Sequence, residues 1–106
     1  MILFKYEHVK MIQDGVKTQT RRPTGRHFLI GTVHYAKTSY RKDACFGFVK
    51  VNSVRQERLG DISLSDCVKE GYETKDAYVD IFKKIYGEWN PDRIVQVIDF
   101  EYLEQK

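Results

Sequence analysis

The sequence predicts an α+β chain, a small mixed β-barrel flanked by about three helices and folded as one domain over residues 1–106. Three observations carry this expectation. Ala77, Tyr78, Ile81, Phe82, Ile85 and Tyr86 recur at helical spacing between Thr74 and Tyr86. The runs 45–54 and 93–103 place apolar residues on both parities, as strands covered on both faces do in small barrels. Gly15, Gly71 and Gly87 each follow a segment with helical character, where a left-handed residue commonly stops a helix. The 106 residues are enough for one core without a metal or disulfide staple, and neither a linker nor an internal repeat is visible.

Taken in order, the apolar start Met1–Lys5 is too short for a secretory signal, and no later run approaches the roughly 20 apolar residues that span a bilayer. Cys45 and Cys67 lack the spacing of a zinc site or a disulfide framework, which fits a reducing cytoplasm. Val9, Met11 and Ile12, set among charged residues, predict a short helix over 7–14 that stops at Gly15. His8 on this segment reads as a surface or capping histidine. The chain then extends through Arg22. Pro23 denies a ladder donor, so 23–27 reads as a loop. Thr32–Ala36 reads as a strand with Val33 and Tyr35 on one side and His34 on the other. The polar, basic stretch 37–43 is a loop suited to a site mouth, where Tyr40 stacks a base and Arg41 and Lys42 hold phosphate.

The strand from Cys45 changes phase, with Phe46 and Phe48 even and Val49 and Val51 odd. Such a slip beside Gly47 predicts a bulge or burial on both faces. Residues 61–71 show helix logic: Ser63 with Asp66 as a capping pair, Leu64, Cys67 and Val68 as an apolar stripe, and Gly71 as the stop. Glu70 sits in the last turn, where the helix dipole disfavours a carboxylate, so its position invites a functional reason. In the second helix Tyr78 and Tyr86 read as core-edge residues, and Trp89 as a plug between helix and sheet. The closing strand carries Ile94, Ile98, Phe100 and Tyr102 on one face and Val95, Val97 and Leu103 on the other.

Function concentrates in Gly15-Val16-Lys17-Thr18-Gln19-Thr20-Arg21-Arg22, which offers an ammonium, two hydroxyls, an amide and two guanidiniums in eight residues. In a regular strand Thr18, Thr20 and Arg22 share one face while Lys17, Gln19 and Arg21 share the other. For Lys17 and Thr20 to act together, the chain after Gly15 must turn and swing the ammonium back. The charge pattern points the same way. Residues 1–42 hold nine Lys/Arg against two Asp/Glu, and residues 43–106 nine against thirteen, so a basic half sits beside an acidic one, the footprint of a phosphate-bearing partner.

The Gly-x-Lys-Thr-x-Thr-x-Arg pattern of Gly15–Arg22 resembles the ASCH domain, a PUA-like β-barrel family associated with RNA and including an N4-acetylcytidine amidohydrolase activity. Gly31-Thr32-Val33, Phe48-Val49-Lys50-Val51, Lys69-Glu70-Gly71-Tyr72 and Val97-Ile98-Asp99-Phe100-Glu101 extend the resemblance over nearly the whole chain. It implies a PUA-like barrel. Two site readings follow. In the first, a basic cleft binds RNA or a modified nucleoside or nucleotide: Lys17, Arg22, Arg41 and Lys42 hold phosphates, Thr20 and Glu70 bond a splayed base, and Thr18, Arg21, Arg26 and Tyr40 complete the surface. In the alternative, the resemblance makes Thr20 the nucleophile, Lys17 the base and Glu70 the proton donor of an N4-acylcytidine amidohydrolase. A threonine hydroxyl needs an adjacent base to attack an amide, and burial or a neighbouring Arg22 lowers a lysine toward that role. Neither reading requires a cofactor or a metal. A third reading is a module without a ligand, in which the octapeptide is only a polar strand.

Overall fold

A computed structural model describes residues 1–23 and 26–104. Five strands form one mixed sheet: β1 (Ile2–Leu3), β2 (Gln19–Pro23), β3 (Val33–Lys37), β4 (Cys45–Arg58) and β5 (Ile94–Leu103), in the order β1-β3-β4-β5-β2. The β1/β3 pair is parallel and the rest are antiparallel. The sheet curls into a half-barrel, with α1 (Val9–Gln13), α2 (Leu64–Glu70) and α3 (Lys75–Tyr86) around it. The α+β class, the mixed barrel-like sheet and the three helices agree with the expectation. Full closure does not occur: β1 and β2 are the two outer strands and do not pair with each other.

Local chemistry accounts for the elements. Ser63 caps α2 by accepting from the Asp66 amide, and Thr74 caps α3 by accepting from Ala77. Gly71 and Gly87 end these helices in left-handed conformation. Ala36 faces Gly47 whereas Lys37 faces Cys45, so the phase slip beside Gly47 is a bulge that leaves Phe46 unopposed. A second irregularity falls at Asn52, between the Val51–Phe100 and Ser53–Asp99 pairs. Pro23 ends an outer strand, where its missing N–H costs no central ladder bond. It therefore belongs to β2 rather than to the predicted loop, of which Thr24 and Gly25 lie outside the described residues.

Two apolar clusters hold the layers together. Leu59, Ile62, Cys67, Tyr78, Phe82, Val95 and Val97 pack α2 and α3 on the sheet, with Trp89 against Tyr78 and Phe82 as the predicted plug. Ile2, Phe4, Ile12, Ala36, Val49 and Phe100 fill the other side. One face was misread in part. Cys67 is buried as expected, but Leu64 and Val68 are exposed, and α2 turns Glu70 inward beside Cys67, because Lys17 and Arg21 grip the Glu70 carboxylate. Among the described residues, no helix is long and apolar enough to cross a membrane.

Gly71 links fold and site. Its φ is +104°, and an added Cβ lies 2.8 Å from Met11 Sδ and 3.8 Å from Lys17 Cβ. Gly71→Ala is expected to lower stability by about 1–3 kcal/mol, the usual cost of a non-glycine residue held in such a conformation. Urea titration of the two proteins checks this.

Candidate active site

The segment after α1 makes the turn that side-chain parity demands. Gly15 has φ +75°, and the amides of Val16 and Lys17 both donate to Met11 O, at 2.8 and 3.0 Å. The chain is therefore still turning at Lys17. It straightens at Thr18, whose amide donates to Lys69 O at 2.8 Å and whose carbonyl accepts from Phe100 at 2.9 Å. From Gln19 it runs along β5, with Thr20 opposite Ile98. These bonds dock the octapeptide between the last turn of α2 and the closing strand, beside Glu70.

A buried charge network results. Lys17 Nζ donates to Gln19 O at 3.1 Å, Glu70 O at 3.1 Å and Glu70 Oε1 at 2.8 Å, so all three ammonium protons are engaged. Arg21 donates to Glu70 Oε2 at 3.0 Å, Glu57 Oε1 at 2.8 Å and Asp66 Oδ2 at 2.9 Å, and also to Gln19 Oε1. Arg55 adds contacts to Asp66 and Asp99 at the exposed rim. Glu70 thus lies between two cations, and no fully buried side-chain N or O lacks a partner among the described residues. Burial pushes Lys17 below the usual lysine range; the Glu70 carboxylate opposes this, and Arg22 and Arg21 reinforce it.

Above this network lies a cavity of about 290 Å³. Lys17, Thr20, Arg21, Arg22 and Glu70 form its polar wall, while Tyr78, Ile81, Phe82, Ile85 and Tyr86 of α3 form an apolar one. Leu3, Phe4, Lys5 and Thr38 edge it. Arg22 Nε donates to Thr20 Oγ1 at 3.1 Å, Nη2 donates to Leu3 O at 2.5 Å, and the guanidinium lies 5.2 Å from the Phe4 ring centre. It pairs with no carboxylate among the described residues. His8 and Tyr72 share a 2.6 Å hydrogen bond on the same wall. No three His, Cys, Asp or Glu side chains among the described residues are arranged to hold a metal ion.

The expected site residues separate into two groups. Lys17, Thr20, Arg21, Arg22 and Glu70 line one cavity, and the first four come from the octapeptide, Lys17 from its turn and the other three from β2. Arg21 is not a free ligand contact: its side chain is wholly buried and committed to carboxylates. Thr18, Arg26, Tyr40, Arg41 and Lys42 do not line the cavity. Thr18 serves through its backbone. Arg26 is held by Met1 O at 3.0 Å and lies over Phe28, away from the polar wall. Tyr40, Arg41 and Lys42 are exposed, and Arg41 pairs with Asp43 at 3.2 Å. Only Thr38 of that loop reaches the cavity edge.

Three residues were assigned other roles from sequence. Tyr78 and Tyr86 are cavity wall as well as core edge, and burial raises both phenols. His8 is buried rather than surface-exposed. Its place on the cavity wall could not be read locally, because the partner that fixes it, Tyr72, lies 64 residues away. Burial, reinforced by the Lys17 charge, pushes His8 down to about 4. The unfolded chain protonates it near 6.5, so the folded state binds fewer protons between these values. Stability is therefore expected to be complete above about pH 6.5 and to decline as pH falls toward 4. Urea midpoints at pH 7 and 4.5 test this, with His8→Gln showing the smaller difference.

Solved structures with this fold include the ASCH domain from Lactobacillus crispatus JV V101, with a TM-score of 0.78 and 10% identity over 99% of this chain and 77% of that one. A protein from Enterococcus faecalis V583 matches with a TM-score of 0.69 and 14% identity, over 98% and 82%. An ASCH protein from Zymomonas mobilis matches with 0.66 and 16%, over 95% and 67%. No protein-family model matches the chain, and no curated protein matches it in sequence.

Proposed function

We propose, from the ASCH fold as premise, that this chain hydrolyses the exocyclic amide of an N4-acylcytidine-type nucleoside. One observation carries the reading: a hydroxyl (Thr20), an amine (Lys17) and a carboxyl (Glu70) face one cavity whose size suits a single nucleoside rather than a strand. The apolar α3 wall suits the flat face of a base, and its two tyrosines supply polar tips.

The chemistry starts from the Lys17–Glu70 contact. With all three protons engaged, Lys17 is not a base in the resting arrangement. Moving one proton across the 2.8 Å contact to Glu70 Oε1 yields a neutral amine and a protonated carboxyl, so one transfer arms both the base and the acid. Burial favours the neutral amine of Lys17 in that exchange. Thr20 Oγ1 attacks the acyl carbon and gives its proton to Lys17; Glu70 protonates N4 as the C–N bond breaks, and cytidine departs. The acyl group remains on Thr20. Water then attacks the ester with the same pair as base and acid, releasing a carboxylic acid and returning the proton to Oγ1.

Incubation with N4-acetylcytidine tests the reading, with cytidine and acetate followed by chromatography. Equal amounts of both are expected, and their absence from all N4-acyl substrates tried would refute it. The second reading, RNA binding, is favoured by exposed Tyr40 beside Arg41 and Lys42. Its signature is affinity for single-stranded RNA that falls steeply with salt, whereas hydrolysis of a neutral nucleoside hardly responds.

A further inference from the structure

We propose that Arg22 is a catalytic residue of the hydrolysis, holding Thr20 Oγ1 and taking up the negative charge on that oxygen when the acyl-threonine breaks down. This rests on the hydrolytic reading above and extends it to a residue first expected to hold phosphate.

The geometry of the hydroxyl is the first argument. A threonine oxygen has two lone pairs and one proton, and Arg22 Nε donates into one lone pair at 3.1 Å. The hydroxyl proton then points away from the guanidinium. Among the described residues no acceptor takes it, so the contact aims it into the cavity that Lys17 also lines. Arg22 and Thr20 lie two positions apart on one face of β2, which makes the contact a property of the strand itself.

The second argument is that Arg22 forms no ion pair with a carboxylate among the described residues. Arg21, its neighbour, is fully spent on Glu57, Asp66 and Glu70, whereas among the described residues Arg22 is held by Leu3 O, the Phe4 ring and Thr20. A partly buried cation without a carboxylate partner retains its field for charge that appears during reaction. The chemistry supplies such charge. In the second half of the reaction, water adds to the ester carbonyl, and the C–Oγ1 bond breaks with its electron pair going to Oγ1. An alkoxide is a poor leaving group, and a guanidinium N–H already on that atom stabilises it until the proton returns.

The experiment measures kcat and KM for N4-acetylcytidine in the parent, Arg22→Gln and Arg22→Lys, with intact mass of acid-quenched protein as a separate readout. Expected is a kcat loss of about 100-fold or more in Arg22→Gln, the scale seen when a donor to a developing oxyanion is removed, with KM little changed. A covalent acyl group should accumulate on Thr20 in that variant. Arg22→Lys keeps the charge and most of the stem; it should fold where Gln fails, recover part of kcat and still accumulate the adduct. Unchanged kcat, or a rise in KM alone, would overturn the assignment and leave Arg22 as a ligand contact. A parent that does not turn over overturns the hydrolytic reading itself, and with it this role.

Discussion

Thr20→Ala is expected to remove turnover of N4-acetylcytidine, by at least about a thousandfold, while the protein remains folded. The size of the effect follows from the absence of a substitute. Among the polar groups of the cavity wall, Thr20 carries the hydroxyl beside the Lys17–Glu70 pair, and a water in its place lacks the fixed position that makes attack effectively unimolecular. Folding should survive, because the change leaves only Arg22 Nε without its acceptor at that position, a cost of about 1–3 kcal/mol. Thr20→Ser keeps an oxygen that can accept from Arg22 and should restore much of the activity. Steady-state rates for the three proteins, with circular dichroism as the control for folding, decide the matter. An alanine variant as fast as the parent would mean that water, not Thr20, attacks the amide.

The second large effect concerns stability. Arg21→Met is expected to cost about 3–5 kcal/mol, the penalty for breaking a buried ion pair by deleting one partner. Three carboxylates share that guanidinium, and Glu70 among them is almost wholly buried. Asp66 carries a pH signature of the same contact. Burial tends to raise its carboxyl, but the bonds and charge from Arg21, with Arg55 and Gln19, hold it below the usual aspartate value. A depressed folded value contributes stability that is present above the unfolded value and lost as pH falls through the folded one. Between pH 7 and 3 the parent should therefore lose this contribution, and Arg21→Met should have less of it to lose. Urea midpoints across that range measure both effects, and a variant within about 1 kcal/mol of the parent would show that the carboxylates find other partners.

What the sequence disclosed follows from how far each signal reaches along the chain. The α3 helix and strands β4 and β5 were legible because many residues repeat one pattern, and even the bulge at Phe46 left a visible phase change beside Gly47. β1 was missed: two residues are too few for alternation, and its partner Ala36 lies in another strand. The inward face of α2 was misassigned because hydrophobicity favours Leu64 and Val68, whereas the winning term is the ion pairing of Glu70 across 53 and 49 residues. Lys17 and Thr20 were legible as a pair through the glycine and the parity argument. The aromatic wall was not, since a tyrosine facing a cavity and one facing a core have the same helical spacing. Basic composition misled in the opposite sense, drawing Arg26, Arg41 and Lys42 toward a cavity that they do not line.

The outer strands β1 and β2 meet through a guanidinium on a carbonyl, Arg22 to Leu3, where other neighbours meet through paired amides. This seam borders the chamber on the side of Leu3, Phe4 and Lys5. It acts as a hasp rather than a weld, because one side chain, and not a ladder, fastens the two edges of the half-barrel there. The same arginine holds Thr20 Oγ1, so the fastening of the sheet edges and the placement of that hydroxyl depend on one residue.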